Sequence, residues 1–271
     1  MKKIDELAKA IRCNIVNTIA SIGVGHIGGC LSIADVLAVL YGKHMKVDPK
    51  NPLMEDRDRL VCSKGHAGPA IYSVLAEMGF FPKSELLTLN QGGTNLPSHC
   101  DMNKTKGVDM TAGSLGQGLS CAVGIALGSK IKKDSVTTYA IIGDGESQEG
   151  QIWEAAMFAG NQGLDNLIVF TDYNKLQLDG TIEDINDIAP LADKWRAFKW
   201  DVYEIDGHNT KQIDETITKA KKVKGKPHMI ILNTVKGKGI RFVEAAKVGC
   251  HSMSISAEQQ AQALQEIGGA K

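Results

Sequence analysis

Short runs of branched and aliphatic residues recur through the second half of the chain, at Val136 to Ile142, Leu167 to Thr171, Val202 to Ile205 and Met229 to Thr234. Stretches with helical apolar spacing separate them, near residues 150 to 162 and 209 to 223, and further helices are expected near 3 to 22, 32 to 43, 67 to 79 and 116 to 132. Near-continuous apolar strands must be covered on both faces. Parallel neighbours also need a crossover, and a crossover helix supplies that cover. The fold class is therefore α/β, a mainly parallel sheet with helices on both faces. Such sheets bind ligands outside the carboxyl ends of their strands.

With 271 residues the chain can bury one large core, and no repeat, low-complexity tract or Pro/Gly/Ser linker divides it. Residues 1 to 271 read as one domain. Thr181 to Pro190 reads as a surface excursion, and the tail after Met253 as a short polar helix that frays; neither is expected to form a site. The 31 basic and 31 acidic side chains cancel, so electrostatics gives no reason for a nucleic-acid or anionic-membrane partner. No stretch approaches the roughly 18 apolar residues of a spanning helix. The first turns show helical periodicity rather than a signal-peptide block, which points to a cytoplasmic protein. Six cysteines without C-x-x-C spacing read as free thiols in a reducing compartment, with no structural zinc.

Glycine is in excess, 29 residues in the whole chain, and it concentrates in short motifs where backbone approaches a ligand. In Gly143-Asp144-Gly145 an apolar strand runs into a turn and then a helix. That pattern is equally a plain strand-to-helix turn with Asp144 as the cap. The next strand ends at Asp172-Tyr173-Asn174-Lys175-Leu176, with 28 residues between Gly145 and Asn174. One crossover helix and a return strand fill that interval, which places Asp144 and Asn174 side by side at neighbouring strand ends. A carboxylate, a side-chain amide and a backbone carbonyl are hard ligands for Mg²⁺ or Ca²⁺, too few to cage the ion without phosphate oxygens. The Gly145 amide at a helix N-terminus can approach those phosphates, so the combination reads as a diphosphate site.

Gly-Asp-Gly followed at this distance by Asn resembles the diphosphate-and-metal motif of thiamine-diphosphate enzymes. The wider sequence is similar to the N-terminal domain of a transketolase, through VGHIGG (24–29), RDRLVCSKGHA (57–67), PSHCD (97–101), TAGSLGQGLSCAVGIALG (111–128), GDGESQEGQIWEA (143–155), DYNKLQLDG (172–180), DGHN (206–209) and KGKG with the later VGCH (236–251). The resemblance implies a thiamine-diphosphate-binding fold, with thiamine diphosphate and Mg²⁺ (or Ca²⁺) as cofactors. It implies that Asp144, Asn174 and the Leu176 carbonyl hold the metal, and that Gly145, Asn174 and His66 contact the diphosphate. Gly113, Ser114 and Leu115 would pass along the aminopyrimidine. Transketolases usually have proline where Ser114 stands, so this turn is expected to be less rigid.

His26, His66, His99 and His251 lie in Gly-, Pro-, Ser- or Cys-rich loops rather than on apolar faces. The resemblance implies that His26, His99 and His251 border the sugar hydroxyls, where imidazole exchanges protons near neutral pH, and that His251 also touches the diphosphate. His44 and His228 read as structural and His208 as intermediate. Lys64, Lys236 and Lys238 read either as phosphate contacts or as surface lysines. Glu149 and Glu154 read either as solvated helix carboxylates or, by resemblance, as residues of a subunit interface near the partner's cofactor-activating glutamate.

The resemblance implies that this glutamate lies on a second domain, for which 271 residues are expected to leave no room. The expectation is therefore the N-terminal half of a split transketolase, inactive without a separate pyrimidine-binding subunit that carries it. The assembly would be a homodimer or heterotetramer, transferring a two-carbon ketol unit from a ketose phosphate to an aldose phosphate. Two alternatives stand beside it. One is a subunit of the 1-deoxyxylulose-5-phosphate synthase or 2-oxo acid dehydrogenase alpha type; the other is a non-catalytic binding protein on the same fold.

Overall fold

The computed structural model describes residues 2–268. In chain order, helix α1 (Lys2–Ala20) leads into the two-residue strand β1 (Val24–Gly25) and the short helices α2 (Ile27–Leu31) and α3 (Ala34–Val39). Next come β2 (Arg59–Cys62), α4 (Gly68–Glu77), α5 (Gln117–Lys132), β3 (Thr138–Gly143), α6 (Gly150–Gln162) and β4 (Leu167–Tyr173). The chain continues through α7 (Ile182–Asn186), α8 (Leu191–Ala197), β5 (Asp201–Asp206), α9 (Thr210–Ala220) and β6 (His228–Asn233), then α10 (Arg241–Ala245), β7 (Met253–Ser254) and α11 (Ala257–Gly268).

Five strands form one parallel sheet in the order β2-β3-β4-β6-β5. Its side chains alternate strictly between two cores. Ile141, Phe170 and Ile230 enter the core built with α1, α3, α4, α9 and α11, while Ile142, Val169 and Ile231 enter the core built with α5, α6 and α8. Each such side chain, at most 1% exposed, contributes about 1.5–3 kcal/mol of burial. The edge strand β5 is only partly buried, which accounts for its more polar sequence. A small antiparallel pair, β1 with β7, matches Gly25 with Met253 and so draws the segments carrying His26 and His251 together.

The expected helices at 116 to 132 and 150 to 162 coincide with α5 and α6 to within a residue. Other expectations need correction. Strand β2 escaped detection because it has four residues, among them an arginine and a cysteine. The helix expected over 32 to 43 is α3 followed by a wider turn of π type, Leu40–His44. Thr181 to Pro190 lies largely at the surface, as expected, but is anchored there: Thr181 accepts the Asp184 N–H to cap α7, and Ile182 and Ile188 are buried in the second core. The tail forms α11 through Gly268, and residues 269–271 lie outside the described residues. In α11 Ala263 and Ile267 enter the first core, and Gln260 donates to Asn17 of α1 at 2.8 Å. All six cysteines are free, and among the described residues no helix is long and apolar enough to cross a membrane.

Helix α6 approaches the α8–β5 turn so closely that a Cβ on Gly160 would lie 1.8 Å from the Phe198 carbonyl oxygen. Gly160→Ala is expected to cost about 1–3 kcal/mol or more of stability through backbone displacement. Urea denaturation of the full chain measures it; an unchanged midpoint would contradict this packing.

Candidate active site

At the carboxyl edge of the sheet, Gly143 stands opposite Asp172 in the β3–β4 ladder, so the turns beginning with Asp144 and Asn174 leave the sheet as neighbours. Asp144, Asn174 and Leu176 all line one cleft of about 290 Å³, together with Gly145, Leu115, His66, His251, Lys64, Lys236 and Glu149. The three expected metal ligands thus face a common space. Asp144 Oδ1 accepts the Gly145 N–H at 2.8 Å and Oδ2 the Lys175 N–H at 2.5 Å. Asn174 Nδ2 donates to Asp172 at 3.1 Å, and its Oδ1 accepts the Leu176 N–H at 3.1 Å. One detail differs from expectation. The helix after Gly145 is a 3₁₀ turn, Gly145–Gln148, with α6 beginning only at Gly150, and the Gly145 N–H is turned onto Asp144 rather than outward.

Two buried carboxylates stand behind this edge with different partners. Asp172, fully buried, accepts from Lys64 Nζ at 2.5 Å, Ser32 Oγ at 2.6 Å and Thr234 Oγ1 at 2.5 Å. Burial pushes its acidity one way, but Lys64 and these donors outweigh it and hold it below the ordinary aspartate range. Lys64 is the reciprocal case, raised by Asp172 against the opposing effect of burial. Asp144, 3% exposed, contacts no ammonium or guanidinium among the described residues. Burial and then the nearby Asp172 push it up to about 7, despite the two N–H groups it accepts.

Across the cleft Lys236, 5% exposed, donates to the Leu176 carbonyl at 3.1 Å and lies 3.2 Å from His251 Nδ1. Burial and then Lys64 lower its basicity. One cleft therefore holds an aspartate short of a cation and a lysine short of an anion. The side-chain oxygen of Gln177, at the same cleft, is buried without a partner. A divalent cation carrying a diphosphate satisfies both charges, and the donor set of carboxylate, amide and carbonyl oxygens suits Mg²⁺ or Ca²⁺.

The four loop histidines converge, although they come from four separate segments. The His26 ring lies 5.5 Å from that of His66, 5.9 Å from His99 and 5.4 Å from His251, and His66 lies 5.1 Å from His251. A Cβ on Gly28 would sit 2.5 Å from Cys250 Sγ, so only glycine lets the His26 and His251 segments close. Burial and then Lys64 drive His66 down to about 2; burial and then Lys236 drive His251 down to about 4. Burial and then His99 also lower His26. These three rings are neutral at neutral pH, each able to donate from one nitrogen and accept at the other.

The remaining expected residues differ in their reach. Leu115 lines the cleft, Gly113 lies against the His99 ring, and Ser114 is exposed beside them. Glu149 reaches the cleft rim, while Glu154 is exposed on α6 next to exposed Met157 and Phe158. Lys238 does not reach the cleft. His44 and His228 lie away from it, paired with Asp214 at 2.8 Å and Asp201 at 3.2 Å. In the sequence Glu146 resembles any solvated helix carboxylate. It is 2% exposed and accepts from Ser63 Oγ and from the Gly116 and Gly143 N–H groups, both at 2.9 Å, fastening the 113–116 loop to the end of β3.

Residues 4–270 match the family model described as transketolase, thiamine diphosphate binding domain. The chain is 56% identical over 260 residues to the 6-deoxy-6-sulfo-D-fructose transketolase subunit SqwG of Clostridium sp. (strain MSTE9), covering 96% of this chain and 94% of that protein. It is 40% identical to an apulose-4-phosphate transketolase subunit of Phocaeicola vulgatus, over 94% of this chain and 90% of the relative. The crystal structure of transketolase from Campylobacter jejuni superimposes with a TM-score of 0.92 at 30% identity, covering 99% of this chain but 43% of that one. The chain thus spans about two-fifths of the solved transketolase and nearly all of the two separate subunits.

Lowered histidine basicity fixes a sign for acid sensitivity. As pH falls below 6.5 the unfolded chain protonates His26, His66 and His251 before the folded chain does, so their contribution is present above 6.5 and is lost progressively toward their lowered folded values. Each such histidine adds up to about 1.4 kcal/mol of lost stability per pH unit. Urea titrations between pH 7 and 5 are expected to show a shallower fall for His66→Gln than for the parent chain, by close to one proton. An unchanged slope would contradict a neutral His66.

Proposed function

We propose that this chain, which belongs to the transketolase thiamine-diphosphate-binding domain family, is the diphosphate-binding subunit of a two-subunit transketolase. The observation that carries the reading is the charge pattern of the cleft, where Asp144 hydrogen-bonds only to backbone N–H groups and Lys236 only to a carbonyl and an imidazole among the described residues. Asp144, Asn174 and the Leu176 carbonyl would hold Mg²⁺ or Ca²⁺; Gly145, His66, Lys236 and His251 would face the diphosphate. Leu115 with Gly113 and Ser114 would border the aminopyrimidine. Thiamine diphosphate, when bound, supplies the nucleophilic carbon and the electron sink for ketol transfer.

This chain's own residues then handle orientation and protons. His26, His99 and His251 converge from three loops beside the cleft, and imidazoles there can accept a proton from a sugar hydroxyl and return it in the reverse step. The neutral state of His26 and His251 supports that role, because an imidazolium has no lone pair to accept with.

Nearly complete coverage of the separate subunits supports a split enzyme, with the activating glutamate on a partner chain and Glu149 and Glu154 at the interface. Exposed Met157 and Phe158 on α6 offer apolar area for such a contact. The donor would be a ketose with an anionic end group, since the two relatives are named for a sulfonate sugar and a phosphate sugar. The site of that anion would lie largely on the partner. A homodimer of this chain within a heterotetramer is the assembly proposed.

The chain mixed with its partner subunit, thiamine diphosphate and Mg²⁺ is expected to transfer a two-carbon unit from 6-deoxy-6-sulfofructose or from a ketose phosphate. The two donors, assayed separately, distinguish sulfonate from phosphate recognition. Asp144→Asn is expected to weaken cofactor binding by about a hundredfold, on the scale of losing a charged metal ligand. Enzyme-like turnover by this chain alone, or preference for pyruvate as donor, would overturn the reading.

A further inference from the structure

His208, in Asp206-Gly207-His208-Asn209, does not line the cleft, yet it belongs to a closed circuit of hydrogen bonds around one cleft loop. Its Nε2 accepts the Val235 N–H at 2.8 Å, which leaves the ring proton on Nδ1; that nitrogen donates to Asp35 Oδ2 at 2.8 Å. Asp35, on α3, also receives the Arg12 guanidinium on both of its oxygens, a bidentate pair among side chains that are about one-tenth exposed or less. Arg12 Nε in turn donates to the Lys238 carbonyl at 3.2 Å. The circuit therefore grips the backbone at Val235 and at Lys238, on either side of Lys236.

The loop needs such a grip. Gly237 has φ +89°, a conformation that side chains other than glycine rarely adopt, and its N–H donates to the Gly28 carbonyl at 3.0 Å. Lys236 carries a flexible four-carbon stem, and directing its ammonium into a buried position costs rotamer entropy that a wandering backbone would increase. The fixed backbone on both sides confines the Nζ to the cleft, where it meets the Leu176 carbonyl and His251.

We infer that Arg12, Asp35 and His208 are positioning residues that hold Lys236 toward the diphosphate, so that anion affinity in the cleft is set partly by a circuit outside it. This rests on the diphosphate reading of the cleft given above. None of the three lines the cleft; they act through the 235–238 backbone.

A double-mutant cycle on the full chain separates the two claims, with inorganic pyrophosphate and Mg²⁺ as the calorimetric probe and the melting temperature recorded for each variant. Lys236→Ala is expected to weaken pyrophosphate by about tenfold, and His208→Ala by about fivefold or more, the range for charge-assisted contacts. The doubly substituted chain is expected to bind no more weakly than Lys236→Ala alone, because His208 then has nothing to position. Arg12→Gln, at the other end of the circuit, should repeat this coupling if His208→Ala fails to fold. Wild-type affinity in His208→Ala with weakened binding in Lys236→Ala overturns the inference and leaves the diphosphate reading standing. Additive losses in the double variant overturn it too. Unchanged binding in Lys236→Ala, or none by the parent chain, removes the reading itself and the inference with it.

Discussion

Two carboxylates are forced into the same buried edge because β3 and β4 are parallel neighbours and Gly143 faces Asp172 across their ladder. A folded chain cannot leave both charged without compensation in so dry a place. Lys64 answers Asp172 from the end of β2, the strand on the other side of β3. Asp144 has only N–H donors, and the lysine nearest in role, Lys236, is directed at the Leu176 carbonyl instead. The sheet thus places an aspartate and a lysine without ionic partners in one cleft, and the proposed cation–diphosphate ligand would supply both.

The surrounding structure keeps this arrangement rigid without entering it. Asp172 collects Ser32, Lys64, Asn174 and Thr234, so four segments are tied at one buried point and the Asn174 amide has a set orientation. Glu146 does the same for the turn before α5, and the short β1–β7 pair does it for the segments of His26 and His251. Neutral histidines beside two buried lysines follow from the same economy of charge: further protonation there is opposed both by burial and by the ammonium groups already present.

The sequence made the central pair legible because period and connectivity suffice for it. A run such as Leu167 to Phe170, short and rich in branched residues, reads as an interior strand, and 28 intervening residues fit one helix and one return, which puts Asp144 and Asn174 at neighbouring strand ends. Glu146 and Asp172 were illegible for the opposite reason. Their burial depends on Ser63, Gly116 and Lys64, contributed by segments between 30 and 108 residues away, and no local pattern records such contacts. The histidines were recognisable individually from their loops, but their convergence depends on Gly28 and on the β1–β7 register. Strand β2 fell below the length at which alternation can be read, and α11 looked like a fraying tail because only two of its side chains, Ala263 and Ile267, are buried.

Manganese substitution tests the shared cation most directly. Electron paramagnetic resonance of Mn²⁺ titrated into the full chain is expected to reveal one tightly held ion per chain only when thiamine diphosphate is present, and that ion should be lost in Asn174→Ala. Tight binding that is indifferent to the diphosphate, or that survives the loss of Asn174, would contradict the account.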